Sequence, residues 1–287
     1  MLNLKTGDSV GIIVLSNALR EFRKEQMEDL QQLLEKWGLK VVISPYIYRH
    51  ETLYAASDQE RAKILMDFYQ EDEIKAIFDV SGGDLSNGIL PYLNFEIIKN
   101  NPKAFFGYSD LSVILNALYT KTGHQNYLYQ IRNLVDDCAE IQQKEFYETF
   151  FRQEETIFPQ KFEWLQGRSC LEGIVVGGNM RCLLKLAGTP YFPNMEGKVL
   201  LLEGLSGGVG KMSTYLNQLK QMGVFNQING IILGTFTEME EKNELPNIAT
   251  LVKTIVNNEE LPIAVTKQIG HGKDSKAIQI GSYLKLN

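Results

Sequence analysis

Short apolar runs alternate with stretches of helical spacing from Val10 to Lys121, and the alternation repeats four times. Val10 to Leu15 reads as a strand. Ala18 to Trp37 carries Phe22, Met27, Leu30, Leu33 and Leu34 at the spacing of one helix face, and Gly38 supplies the stop. Leu39 to Ser44 is the next strand, and Ser57-Asp58-Gln59-Glu60 has the form of a capping box that opens a helix through Tyr69. Lys75 to Val80 is a third strand, broken by Ser81-Gly82-Gly83-Asp84, with helical spacing through Ile89 and Leu93 behind it. Ala104 to Tyr108 is the fourth, and Leu111 to Lys121 its helix. Such alternation predicts an α/β fold: a parallel sheet with helices on both faces, its ligands bound beyond the carboxyl ends of the strands.

The pattern changes at about Asp136. From there to Gly167 the chain is polar and rich in Gln, Glu and Phe, with no clean strand, which predicts a connecting segment. Beyond it Cys170 to Val176, Lys198 to Leu202, Ile228 to Thr235, Ile263 to Val265 and Ala277 to Ile280 read as strands. Asn179 to Leu186, Met212 to Met222 and Asn247 to Asn257 read as helices. The expected division is an N-terminal domain over 1–140, a connection over 141–168 and a smaller, β-rich α/β domain over 169–287.

Composition removes several functions from consideration. The chain has 287 residues, 44% of them apolar, which is material for a large core in one or two domains. Its net charge is −6 with no basic run, so neither nucleic acid nor an anionic membrane is an expected partner. No window approaches the roughly 20 apolar residues of a membrane span, and the first residues lack the charged head and apolar core of a secretory signal. Three cysteines, Cys138, Cys170 and Cys182, form no C-x-x-C pair and suggest neither a disulfide framework nor a zinc site. The expectation is a reduced, cytoplasmic protein without metal or cofactor. Gly204 to Ser213 has the look of a phosphate loop, but Met212 follows Lys211 where a hydroxyl is needed.

The chemistry points to one joint. At Gly107-Tyr108-Ser109-Asp110 a strand stops and a helix begins, the geometry of a nucleophile elbow, in which the N–H after the serine faces the developing oxyanion. The same residues could equally cap the helix. A serine nucleophile needs a base, and the chain has three histidines. His50 lies in a polar turn and His124 at a helix end, where it suits the helix dipole. His271 stands between glycines in Gly270-His271-Gly272, which let a loop approach another surface closely, so it is the best base candidate, or else a solvated loop residue. Glu203 ends the apolar run Val199 to Leu202 and is the natural third member, unless it only marks where a strand meets water. Gly82-Gly83 could give a second oxyanion donor or make a tight turn.

These positions carry a resemblance. Ser81 to Phe95, Asn101 to Asp110, Lys121-Thr122-Gly123, Gly177-Gly178-Asn179, Gly188-Thr189-Pro190, Gly197 to Glu203 and Ile269 to Gly272 together resemble the LD-carboxypeptidase family of serine peptidases, which includes the microcin C self-immunity proteins. The similarity implies a flavodoxin-like N-terminal half, an active site between the two halves and a homodimer. It implies a Ser109–Glu203–His271 triad that hydrolyses the amide between an L-centre and the terminal D-alanine of murein tetrapeptides, with the N–H groups of Gly83 and Asp110 as the oxyanion hole. The Gly-Gly and Ser-Asn tract resembles the immunity branch more closely, so cleavage of a peptidyl-nucleotide antibiotic is the alternative. A peptide-binding protein without catalysis is the second alternative. Two departures bear on the substrate pocket: His124 to Arg132 replaces the family's Gly-Pro tract, and Ser206 stands where many members have an acid.

Overall fold

Two six-stranded sheets organise the chain. The structure, a computed structural model, describes residues 2–49, 51–167 and 170–287. In chain order the first elements are β1 (Ser9–Ile13), α1 (Lys24–Lys36), β2 (Lys40–Ile43), α2 (Asp58–Gln70), β3 (Ile74–Asp79), α3 (Phe95–Asn100), β4 (Ala104–Gly107), α4 (Ser112–Thr122) and β5 (Asn126–Leu128). There follow α5 (Ala139–Arg152), β6 (Glu163–Gln166), β7 (Leu171–Asn179), α6 (Met180–Leu184), β8 (Lys198–Gly204), α7 (Val209–Gln221) and β9 (Gly230–Phe236). The chain closes with α8 (Thr237–Glu241), α9 (Ile248–Val256), β10 (Ile263–Val265), β11 (Ile278–Ile280) and β12 (Tyr283–Leu286).

The first sheet runs β2-β1-β3-β4-β5, all parallel, with β11 added antiparallel beside β5. A 2-1-3-4-5 order is the flavodoxin-like winding, and it places a switch point between β1 and β3, where loops leave in opposite directions and open a crevice. The second sheet has a parallel centre, β7-β8-β9-β10, flanked by antiparallel β12 and β6. Both sheets therefore carry their loops and helix starts at carboxyl ends, as the alternating pattern requires.

Helix α4 joins the two. It is apolar all round: Val113, Ile114, Leu115, Ala117 and Leu118 are each 0% exposed, the mark of a helix enclosed on every face. It touches β4 and β5 of one sheet and β7 of the other. Its polar residues stitch the contact. Asn116 donates to the Gly177 carbonyl (2.8 Å) and accepts the Gly177 N–H (2.9 Å), while Ser112 Oγ accepts the Asn179 N–H (2.9 Å). A Cβ at Gly178 would sit 2.6 Å from Ser112 Oγ, so a glycine is what lets β7 lie this close to the helix. One continuous core then runs from Leu65, Phe105 and Ile114 to Val175, Leu201 and Ile232.

Several expected elements differ. The tract from 136 to 167 does contain structure: α5 is a full helix, and β6 pairs with β10. Phe146 and Phe150 of α5 are 0% exposed, so its aromatic residues form the helix's buried face within a polar sequence. The stretch through Ile89 is a 3-10 helix (Ser86–Tyr92) containing Pro91, which has no N–H for an α-helical bond. The first helix starts late, at Lys24 after a 3-10 turn, and Ala18 and Leu19 instead make backbone bonds with Ile47, Arg49 and Leu53. Strands β5 and β12 are short pieces that the apolar pattern did not mark. The capping box at Ser57 and Glu60 forms in full. All three cysteines are free thiols, and no helix of the described residues is long and apolar enough to cross a membrane.

Candidate active site

Ser109 lies directly beyond β4, with φ of 55°, in a single 3-10 turn (Ser109–Leu111) that runs into α4. Positive φ is uncommon for a residue with a side chain and costs on the order of 1 kcal/mol or more. The bend turns the hydroxyl away from the helix. No side chain caps the 3-10 turn or α4, so neither Ser109 nor Asp110 serves as a helix cap.

His271 Nε2 lies 3.1 Å from Ser109 Oγ, and His271 Nδ1 lies 2.7 Å from Glu203 Oε2. Glu203 stands near the carboxyl end of β8 and is 0% exposed; its Oε1 has no partner among the described residues. A buried carboxylate on Nδ1 selects the tautomer with hydrogen there and leaves Nε2 as an acceptor facing the serine hydroxyl. The loop after β10 brings His271 into this line. Gly270, at φ 150°, rests against Thr235 at the end of β9: a Cβ there would overlap Thr235 Oγ1 and come within 2.9 Å of Thr235 Cβ. Tyr108 holds the loop from the other side. Its hydroxyl donates to the Gly270 carbonyl, and its ring packs on the His271 ring at 4.6 Å. Burial, reinforced by the Glu203 charge, raises the Tyr108 phenol well above its ordinary value, so it stays a neutral donor.

Asp110 anchors the elbow. Its carboxylate is 0% exposed and accepts from Ser16 Oγ (2.6 Å), the Ser86 N–H (2.9 Å) and Lys185 Nζ (2.5 Å). Burial would raise its carboxyl, but the Lys185 ammonium and these donors hold it below the usual carboxylate range. Lys185, just beyond α6, and Arg181, within it, reach across from the second half. Lys185 also donates to the Asp84 carbonyl (2.9 Å), and Arg181 to the Gly83 carbonyl (2.8 Å) and the Asp84 carboxylate. Gly82 approaches the serine, its Cβ position being 3.9 Å from Ser109 Cβ. The Gly83 N–H donates to no group among the described residues, and the Asp110 N–H belongs to the first turn, where such donors have no intrahelical acceptor.

The sequence-derived positions therefore meet unequally. Ser109, His271 and Glu203 form one hydrogen-bonded line; Gly83 and Asp110 border it. His124 is remote, at the end of α4, and His50 lies outside the described residues. Lys185, Arg181 and Ser16 carry no motif of their own; Tyr108, inside the elbow, and Ser86, in the Ser-Asn tract, fall in stretches the sequence marks, but neither was assigned a role there. Among the described residues no three His, Cys, Asp or Glu side chains gather as a metal site.

The LD-carboxypeptidase N-terminal domain model matches residues 10–130, and the corresponding C-terminal domain model matches residues 172–286. The two spans take in Ser109, Glu203 and His271. The chain belongs to the LD-carboxypeptidase family of serine peptidases. A relative within reach is the probable murein peptide carboxypeptidase of Bacillus subtilis, 26% identical over 99% of this chain and 90% of its own. The fold is that of the microcin C7 self-immunity protein MccF, solved in complex with glutamyl sulfamoyl guanosine (TM-score 0.86, 21% identity, 99% of this chain and 94% of that one). It is also that of the muramoyltetrapeptide carboxypeptidase from Oxalobacter formigenes (TM-score 0.80, 22% identity, 96% and 94%). In this LD-carboxypeptidase Ser109 follows β4 of the first sheet, Glu203 lies in β8 of the second, and His271 lies on the loop that crosses from β10 to β11.

Proposed function

We propose that this LD-carboxypeptidase removes the terminal D-alanine from murein tetrapeptides with Ser109, His271 and Glu203 as its triad. The observation that carries the reading is the unbroken line from Ser109 Oγ through His271 to a fully buried Glu203. Ser109 Oγ attacks the scissile carbonyl while His271 Nε2 takes its proton. Glu203 holds the imidazole and stabilises the imidazolium that forms. The N–H groups of Gly83 and Asp110 receive the oxyanion, each contributing about 3 kcal/mol to the transition state. On collapse His271 returns the proton to the departing amine, and water, deprotonated by the same ring, then releases the acyl group from Ser109.

Mass spectrometry tests this. Incubation of the protein with a murein tetrapeptide should give the tripeptide and D-alanine, and Ser109→Ala should give neither. An intact tetrapeptide after incubation with the parent protein refutes the substrate. The likeness in fold to MccF, and that protein's glutamyl sulfamoyl guanosine ligand, support a second substrate: a peptidyl-nucleotide conjugate cleaved by the same three residues. Parallel turnover of both compounds separates the two. Labelling of Ser109 by a fluorophosphonate separates either enzyme from a binding protein. A cytoplasmic location, a homodimer and the division at 1–140, 141–168 and 169–287 belong to the same proposal, and light scattering of the purified chain checks the dimer.

A further inference from the structure

Four arginines face one cleft beside the nucleophile. The cleft, about 330 Å³, is lined by Arg20, Arg23, Arg49 and Arg132, with Phe22 at its rim and Gly82 on its wall. Gly82 is the residue whose Cβ position lies 3.9 Å from Ser109 Cβ. The arginines come from different loops at the same edge of the first sheet: Arg20 and Arg23 after β1, Arg49 after β2, Arg132 after β5. Backbone bonds fix two of these loops to each other, since the Leu19 N–H donates to the Ile47 carbonyl and the Arg49 N–H to the Leu19 carbonyl (2.9 Å each). The cleft thus lies over the switch point between β1 and β3, where a flavodoxin-like sheet opens to a ligand.

What distinguishes these guanidiniums is that four of them gather at one cleft without a carboxylate partner. Arg61 and Arg181 are each paired with an aspartate, whereas no carboxylate among the described residues lies within 4.0 Å of Arg20, Arg23, Arg49 or Arg132. Arg23 and Arg132 instead share the single neutral acceptor Gln26 Oε1, at 2.9 and 3.4 Å. Arg132 is well sunk into the fold, and its Nε is buried with no acceptor among the described residues. Burial and the neighbouring Arg23 charge pull Arg132 down to about 10, while the Asp136 and Asp79 charges push the other way. Asp136 is engaged by Lys273 at 2.9 Å, and Asp79 by the Leu15 and Ser81 N–H groups. Like charges gathered around a half-buried guanidinium, in a chain of net charge −6, are unfavourable unless an anion joins them.

A carboxypeptidase has to distinguish a chain end from a chain interior. The free α-carboxylate of the departing residue is the group that does so, and it stands two bonds from the scissile nitrogen. We infer that the arginine cleft is the subsite for this carboxylate, with Arg132 as its principal partner and Arg20, Arg23 and Arg49 extending the field to further acidic groups of an oligo-anionic peptide. Arginine suits the task because its planar fork grips a carboxylate through two parallel bonds. The inference rests on the carboxypeptidase reading above and adds the means by which the site chooses its substrate.

The test compares a tetrapeptide with its C-terminal amide, in the parent protein and in Arg132→Gln, Arg132→Lys and Arg49→Gln. The parent should favour the free acid by roughly 100-fold in kcat/KM, the order expected for losing a hydrogen-bonded charge partner. Arg132→Gln should lose most of that factor on the acid and almost nothing on the amide, with Arg132→Lys between the two and Arg49→Gln a smaller loss of the same kind. A folding or alignment defect would lower both substrates together. An acid-to-amide ratio that survives both glutamine variants overturns the inference. If the parent cleaves neither peptide, releasing neither D-alanine nor D-alaninamide, the reaction reading fails on its own, and the cleft is then judged by binding. Calorimetric titration of Ser109→Ala with N-acetyl-D-alanine and N-acetyl-D-alaninamide should show binding of the carboxylate alone, abolished in the Ser109→Ala, Arg132→Gln double variant. Equal binding of the two compounds, or binding of neither, overturns it.

Discussion

Gly270→Ala should disable the site without disturbing the core. The added methyl would overlap Thr235 Oγ1 and stand 2.9 Å from Thr235 Cβ and 3.3 Å from its backbone nitrogen. Carbon atoms in contact sit about 3.5–4.0 Å apart, so even with the hydroxyl rotated away the loop must retreat by roughly 0.6–1 Å. The φ of 150° adds strain, since a side chain rarely adopts it. His271 is the next residue, and its Nε2 is only 3.1 Å from Ser109 Oγ. A displacement of about 1 Å in a catalytic group costs on the order of 100-fold in rate, so kcat on the tetrapeptide should fall by at least about that factor. The Tm should drop by roughly 2–10 °C, because the strain is confined to one loop and amounts to about 1–3 kcal/mol. Adding Thr235→Gly removes both side-chain clashes and leaves the strain, so it should restore part of the lost rate. Parent-like kcat in Gly270→Ala, or no recovery in the double variant, would refute the claim that this contact positions His271.

Lys185→Met should destabilise the protein by about 3–5 kcal/mol, because it strands the Asp110 charge in a site that is 0% exposed; adding Asp110→Asn should recover part of the loss in a urea titration. Asn116→Val should cost roughly 2–4 kcal/mol, since it leaves the buried Gly177 N–H and carbonyl without their partners, and a midpoint equal to the parent's would contradict that. Asp79 gives the pH dependence its sign: burial raises it from 3.8 to about 7, so the folded state binds this proton more tightly than the unfolded chain. Its contribution to stability therefore falls as pH rises from about 4 to about 7, by on the order of 4 kcal/mol, and is level above that. The stability difference between the parent and Asp79→Asn, measured across this range, should show that slope, and a constant difference would exclude it.

The alternation of strands and helices was legible because the central parallel strands are buried on both faces and read as apolar blocks; β4 and β8 are the clearest cases. The second sheet's edge strands, β12 and β6, have no such signal. β12 alternates exposed and half-buried positions, and β6 is held by pairing with β10 inside a polar tract. In α5 the aromatic residues are the buried face, and among so many glutamines and glutamates their spacing went unread. At the site, Ser109 was visible from a joint in the chain, His271 from the scarcity of histidines and Glu203 from a charge closing an apolar strand. Each of those signals is local. The contacts of Asp110 with Ser16, Ser86 and Lys185, and the gathering of Arg20, Arg23, Arg49 and Arg132, join residues far apart in the chain. Only the winding of the sheet brings them together.

That difference has a structural reason. The serine sits in the turn that leads from β4 into α4, clamped between the sheets, while Glu203 lies in β8 of the second sheet and His271 on the loop that crosses from β10 to β11, so neither sheet alone holds a complete line of hydrogen bonds. Their alignment depends on contacts that do no chemistry: Asn116 on Gly177, Ser112 on Asn179, Lys185 on Asp110, Tyr108 on Gly270. Three of these four bonds run from a polar side chain to backbone, which fixes position within a few tenths of an ångström where an apolar contact would let the sheets slide. The fourth is a buried ion pair, a poor source of stability but a strict constraint on register. An interface of this kind holds two rigid sheets at one separation. The 3.1 Å between His271 and Ser109 is set there rather than by either residue's own loop alone.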